Sequence, residues 1–322
     1  VILVKALILE QGKVSLQEIP RPRIEGGEVL IRVALAGVCG TDLEMIRGYI
    51  PFSGVLGHEF VGTVVEDPRD ELTGHRVVAD INIGCGDCCW CKKGLKNHCP
   101  GRKVLGIVHK AGVFAPFVAV PRNNLHCVPR GISDQEAVFT EPVAAALQIT
   151  EQVHIPLSSR VAVLGDGRLG LLTALVLAKT GWRPLLLGHH PQKMERAENQ
   201  GIETMIAEEF KGQVDFVIEC TGSSRGLEQA LKIIRSRGTI ILKSSIAGNT
   251  EIKMAELVRR EINLVGSRCG PLAPALDLIN RRSLGLEELV DEIYPLSLGE
   301  EALEQAGQRG ILKILIDMRD ED

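Results

Sequence analysis

Aromatic side chains are scarce, at 3% of 322 residues, with two Trp, two Tyr and seven Phe. Backbone turns, supplied by 34 glycines, therefore matter more here than aromatic anchors. Charge of one sign is missing too: 37 Lys and Arg against 41 Asp and Glu leave a net charge of −4. No basic field invites nucleic acid, and no acidic tail suggests a solvated arm. Long apolar runs are absent, since none approaches the ~18 residues of a membrane helix. The most apolar helical stretch, Leu169 to Ala178, ends at Lys179. The first residues show no basic segment followed by an apolar run and a small-residue cleavage site. A cytoplasmic, reducing location is the expectation, and there nine cysteines should be thiols or metal ligands rather than disulfides. With 45% apolar and 24% charged residues, the chain reads as globular, long enough for two domains of roughly 100–200 residues each.

What is present changes character along the chain. From Val4 to Val128, short β-rich runs ("VKALIL", "EVLIRVALAG", "FVGTVVE", "HRVVADI", "FAPFVAV") alternate with Gly and Pro and predict a β-rich module. Ser133 followed by Glu136 has capping-box spacing, so a helix should start there, with Pro142 restarting or kinking it. From Arg160, apolar runs alternate with helical patterns: "RVAVLG" then "RLGLLTALVLAKTG", "PLLLG" then "PQKMERAENQG", "VDFVIECTG" then "SRGLEQALKIIRSRG", then "TIILKSS". That rhythm predicts right-handed crossovers and a doubly wound parallel sheet, an α/β fold. The rhythm ends near Gly270, and "ILKILIDM" reads as one more strand able to return to the first domain. The expected division is 1–145, 146–269 and a C-terminal segment 270–322 that completes the first domain.

Three constellations carry chemistry. In "GCGDCCWCKKGLKNHC", Cys85, Cys88, Cys91 and Cys99 stand at C-x2-C-x2-C-x7-C. Four thiolates on a Gly-punctuated lobe can close tetrahedrally on zinc and leave no open position, so the site at 85–99 should hold structure. Cys89 falls outside the register; an iron–sulfur cluster or unrelated thiols is the competing reading. The second constellation is "GVCGTDLEM…GVLGHEFVG". Cys39, His58 and Glu59, each between a strand and a Gly-rich turn, have the composition of a catalytic zinc site. Alone they would pass for a buried thiol and a satisfied histidine. Glu141 in "TEPVA" is a further candidate ligand, or else a helix-start carboxylate. The third is "VAVLGDGRLGLL", a G-x-G-x-x-G of Gly165, Gly167 and Gly170 that follows a strand and opens a helix. In that setting, with Arg168 and Leu169 at the helix start, it predicts a pyrophosphate site on backbone N–H groups.

These constellations, in this order, resemble the zinc-containing medium-chain dehydrogenase/reductase family of alcohol and polyol dehydrogenases. The likeness spans nearly the whole chain and includes "CGTD", "GHEFVG", the four-cysteine lobe, "EP", the glycine motif and "VIECTG". It implies a GroES-like catalytic domain, a Rossmann domain, two zinc ions per subunit, and assembly as a homodimer or homotetramer. It further implies Cys39 and His58 as catalytic-zinc ligands, with Glu59 a ligand in some members and behind the zinc in others. Glu141 stands where the family places a third ligand, an acid in polyol-type members. Thr41 matches the hydroxyl that hydrogen-bonds the substrate oxygen, and Asp42 the acid that orients the histidine. The reaction implied is hydride transfer between a carbinol carbon and a nicotinamide ring. The rivals are a zinc-independent quinone or enoyl reductase and a non-catalytic cofactor-binding relative.

The sequence departs from the family in two places that bear on function. Glu44 stands where many members carry a proton-relay histidine, so the relay is carboxylate-based or absent. At the end of the second Rossmann strand, "PLLLGHHPQK", the expected acid is missing. His189, His190 and Lys193 stand there instead, which favours NADP over NAD. The stretch from Asp42 to His58 is expected to lend Tyr49, Ile50 and Phe52 to a substrate pocket.

Overall fold

The computed structural model describes residues 2–245, 250–282 and 284–319. Two units are present: Val1–Glu141 with Leu276–Arg281 and Val290–Asp322, and Pro142–Ala275 with Arg282–Leu289.

The first unit is built around strand Glu28–Gly37, whose sequence EVLIRVALAG is almost wholly buried. It pairs antiparallel with Glu59–Glu66, with Phe117–Pro121 and with the C-terminal strand Lys313–Asp317. Arg76–Ala79 and Leu125–Cys127 extend the sheet on one side, and Val290–Pro295 lies parallel to Lys313–Asp317 on the other. The "ILKILIDM" run does return to the first unit, with Leu315 opposite Gly37. A second sheet joins Lys13–Pro20, Leu3–Glu10 and Gly54–Val55. Leu7, Leu9, Leu30, Ile31, Leu35 and Phe114 are fully buried in this unit's core. A small sheet of Asn82–Ile83, Lys103–Leu105 and His109–Lys110 carries the cysteine lobe.

The second unit is a six-stranded parallel sheet in the order Glu203–Ile206, Pro184–Gly188, Val161–Leu164, Val214–Glu219, Ile234–Leu242, Asn263–Gly266. The chain starts at Val161, winds to one edge, then crosses back to build the other. The strand order therefore reverses beyond the carboxyl ends of Val161–Leu164 and Val214–Glu219, where such sheets bind ligands. Strand VAVL is buried at every position, as a parallel strand covered on both faces must be. Helix Arg168–Lys179 buries an unbroken run from Gly170 to Leu177.

Two elements differ from the sequence reading. The capping box at Ser133 and Glu136 forms, but its helix stops after Val138, and a second helix begins at Thr140. Pro142 thus sits in the first turn of this second helix, where its missing N–H is not needed, so the helix restarts there and is not kinked. The strand before Lys243 begins at Ile234 rather than at Thr239, because the helix before it ends at Ile233.

Candidate active site

Strand pairing assembles the constellation of Cys39, His58 and Glu59. Gly37 lies opposite Glu59 and Ala36 opposite Phe60, so the exit of one strand toward Cys39 faces the start of the other at His58. Cys39 caps the helix Gly40–Ile46, and its backbone N–H donates to Asp42 Oδ2 at 2.9 Å. Donor atoms of Cys39, His58 and Glu59 all lie within 4.8 Å of one another. His58 and Glu59 are buried and Cys39 half-buried. Asp42 is completely buried, its Oδ1 3.2 Å from His58 Nδ1. The two attract as charges but are not aligned as a hydrogen bond. Burial opposes a charge on His58, yet the Asp42 carboxylate and the Cys39 sulfur outweigh it and raise the imidazole's pKa well above its ordinary value. The cluster attracts positive charge. With one sulfur, one imidazole nitrogen and one carboxylate oxygen converging, the donor set fits zinc.

Behind Glu59 stands a residue that sequence reasoning did not single out. Lys313 Nζ donates to Glu59 Oε2 and lies 3.4 Å from the Val38 carbonyl and 5.4 Å from the Phe139 ring centroid. Both partners are at most 6% exposed. The space depends on Gly37, where a Cβ would sit 2.8 Å from Glu59 Oε2, Lys313 Cε and Val138 Cγ1 alike. The signal was a lysine heading the apolar run "ILI" of the strand "KILID".

The remaining sequence candidates fall around this cluster. Thr41 Oγ1 is 3.8 Å from Cys39 Sγ. Glu44 is turned to Arg47, with Oε1 2.6 Å from Nη1. Glu141 is half-buried in the first turn of helix Thr140–Gln152 and is not among the three grouped donors. Tyr49 is exposed, while Ile50 and Phe52 are half-buried.

The four lobe cysteines also converge within 4.8 Å. Cys88 caps the short helix Cys89–Lys92 and accepts from the Cys91 N–H at 3.5 Å, and the Cys85 N–H points to Cys99 Sγ at 3.4 Å. Cys89 is exposed and outside the group. Backbone N–H groups of Cys88 and Asp87 bring the Cys85 thiol down to about 7. For Cys91, the Gly86 N–H favours the thiolate, but burial and the neighbouring sulfurs push it up to about 11. Four thiols sharing so little space cannot all ionise without a cation between them. This donor set, too, fits zinc.

In the second unit the glycine turn is tight. Gly165 has φ +116°, and a Cβ on Gly170 would meet the Gly165 carbonyl oxygen at 1.8 Å. Gly167 faces open space and caps helix Arg168–Lys179, whose first N–H groups are available to an anion. Arg168 and Leu169 lie half-buried in that first turn. A cleft of about 390 Å³ that begins at Leu164 is lined by the apolar Leu164, Leu187, Ala207 and Phe210 and by the polar Glu208, Lys211, Gln229 and Lys232. The corner beyond Gly188 is not purely basic. His189 Nδ1 lies 3.0 Å from Glu208, and His190 Nδ1 3.0 Å from Asp166. The premise that no acid serves this strand end is corrected: Asp166, inside the glycine motif, takes the backbone N–H groups of His189 and His190 at 2.8 and 2.6 Å.

A thiol–imidazole–carboxylate cluster in a β domain, a four-thiol lobe, and a dinucleotide-type α/β unit together define a metal-assisted oxidoreductase. Residues 25–130 match the alcohol dehydrogenase GroES-like domain, and residues 170–281 match the zinc-binding dehydrogenase model. A sorbitol dehydrogenase from Halalkalibacterium halodurans is 30% identical, covering 97% of this chain and 98% of its own. D-altritol 5-dehydrogenase from Agrobacterium fabrum is 29% identical over 90% of this chain and 91% of its own. Among solved structures, a zinc-binding dehydrogenase from Sinorhizobium meliloti bound to NADP superposes with a TM-score of 0.88 at 29% identity, covering 98% of this chain and 99% of that one. The chain belongs to the zinc-containing medium-chain dehydrogenase/reductase family. It is an oxidoreductase of the alcohol and polyol dehydrogenase type that works with a nicotinamide cofactor. No helix among the described residues is long and apolar enough to cross a membrane.

Proposed function

We propose that this chain oxidises a secondary alcohol carbon of a polyol or sugar alcohol, or reduces the matching ketone. The single observation that carries this is the buried convergence of Cys39, His58 and Glu59. The relatives named as sorbitol and D-altritol dehydrogenases support the polyol assignment. Cys39, His58 and Glu59 hold the catalytic zinc, with Glu141 joining from its helix start, and Cys85, Cys88, Cys91 and Cys99 hold a second, structural zinc. When bound, the catalytic ion supplies Lewis acidity toward the substrate oxygen and the nicotinamide ring exchanges hydride with the carbon.

The protein's own side chains divide the remaining work. Asp42 faces Nδ1 of His58 and leaves Nε2 for the metal. Lys313 holds one carboxylate oxygen of Glu59. The Thr41 hydroxyl, beside Cys39, takes up the substrate proton. Glu44 is paired with Arg47, which supports a relay without it. Gly165, Gly167, Arg168, Leu169 and Gly170 form the pyrophosphate turn, and His189, His190 and Lys193 border the adenosine ribose. NADP draws support from Lys193 at that corner, whereas each imidazole there is already paired with a carboxylate. None of the nine cysteines is paired in a disulfide, which suits a reducing cytoplasm. Assembly as a homodimer or homotetramer is supported by the edge strand Asn263–Gly266 and by exposed Met254 and Val258 on the preceding helix. A panel of polyols, sugars, amino alcohols and simple alcohols, run with both NAD and NADP, tests the substrate class. Turnover confined to simple primary alcohols contradicts it.

A further inference from the structure

The corner of the dinucleotide unit holds an acid that has changed its place in the chain. A Rossmann site that reads the 2′-hydroxyl of the adenosine ribose does so with a carboxylate about 20 residues past the glycine turn, at the end of the second strand. Here that strand ends at Gly188, which has no side chain to offer. The space is nonetheless filled. A Cβ built on Gly188 would lie 2.6 Å from both Cβ and Oδ2 of Asp166. The Asp166 carboxylate therefore sits where a strand-end side chain would project, having arrived from the glycine turn.

Its surroundings hold it there as an anion. Oδ2 accepts the backbone N–H groups of His189 and His190, and the His190 imidazole lies 3.0 Å from Oδ2 and 3.1 Å from Oδ1. Oδ1 has no partner among the described residues except that imidazole, and the His190 side chain is about half exposed. Swinging the ring aside frees a lone pair of Oδ1 for a ribose hydroxyl without disturbing the two backbone bonds. The second carboxylate, Glu208, pairs with His189 and also lines the cleft, whose walls hold the apolar Leu164, Leu187 and Phe210 together with Lys211 and Lys232. The fixed Asp166 carboxylate suits a ribose with a free hydroxyl there and repels one with a phosphate in its place.

We infer that Asp166 is the specificity-determining residue for the adenosine ribose, accepting its 2′-hydroxyl and excluding a 2′-phosphate, so that NAD binds in preference to NADP. This rests on the nicotinamide-cofactor reading above and reverses the cofactor preference expected from the strand end alone. Asp166 touches the ribose and takes no part in hydride transfer.

Titration calorimetry with ADP-ribose and its 2′-phosphorylated form tests it, because neither fragment depends on the nicotinamide or the zinc. The wild-type protein should bind ADP-ribose about tenfold or more tightly than the 2′-phosphate form. Asp166→Asn keeps the shape but loses the charge, its single oxygen staying on the two backbone N–H groups while its NH2 donor faces the ribose, and should shrink that ratio to about threefold or less, chiefly by improving binding of the phosphate form. Should Asp166→Asn fail to fold by circular dichroism, the wild-type ratio and Glu208→Gln serve instead, the latter lowering the ratio by a smaller amount through the adjoining carboxylate. Equal or tighter binding of the 2′-phosphate form to wild type overturns the inference and leaves the dehydrogenase reading intact. So does an unchanged ratio in folded Asp166→Asn. Failure of wild type to bind either fragment overturns both.

Discussion

Lys313→Met removes the cation that faces Glu59 while keeping most of the side chain's volume. Both partners are nearly inaccessible, at 6% and 2% exposure, so water cannot take the place of the lost ammonium. Removing one member of a buried pair strands the other's charge, which costs about 3–5 kcal/mol. For a domain of this size about 1 kcal/mol moves the melting temperature by about 2–4 °C, so the variant should melt roughly 6–20 °C lower. The loss should depend on metal. If Glu59 helps hold a cation, that cation offsets the missing lysine, so the shift should be largest after chelation and smaller with zinc restored. The double variant Lys313→Met with Glu59→Gln removes both charges and should regain most of the lost stability. Differential scanning calorimetry of the three proteins, with and without chelator, reads all of this. A Lys313→Met protein melting within about 2 °C of the parent in both states refutes the reasoning. A double variant no more stable than the single refutes the assignment to stranded charge.

Other outcomes follow from the same geometry. Cys39→Ser or His58→Ala should lower turnover by about a thousandfold or more, as loss of an essential metal does. ADP-ribose affinity should stay within about threefold of wild type, measured by calorimetry. Cys91→Ser should reduce bound zinc from two ions per chain to one and lower the melting temperature, since binding at a four-thiolate site is coupled to folding. In the metal-free lobe near pH 7, iodoacetamide should modify Cys85 before Cys91, because backbone N–H groups bring the Cys85 thiol down to about 7 while Cys91 is pushed up to about 11. Peptide mass mapping over time gives the order, and Cys91 reacting first contradicts it.

Much of the site is legible in the sequence because its physics is local. The lobe's cysteines are fourteen residues apart at most, and a glycine turn with a helix behind it is a continuous stretch. His58 and Cys39 are readable because each adjoins a strand, and Gly37 opposite Glu59 then brings them together. Lys313 is not readable in this way. It lies 254 residues from Glu59 and reaches it only because the last strand inserts beside Gly37. Asp166 is hidden for the opposite reason. It occupies a spacer position of a motif whose glycines draw the attention, and the strand end it serves reads as His189 and His190 in place of an acid. The break after Val138 was likewise obscured by Pro142, the stronger local signal, although the proline only starts the next helix.

The most direct test of a zinc-dependent dehydrogenase is to follow bound zinc and polyol oxidation together during graded chelation, with nicotinamide absorbance as the activity readout. Two zinc ions per chain are expected at the start. Loss of the more exchangeable one should abolish turnover while the fold persists, and adding zinc back should restore it. Turnover that survives removal of that ion, or that never requires zinc at all, would contradict the account.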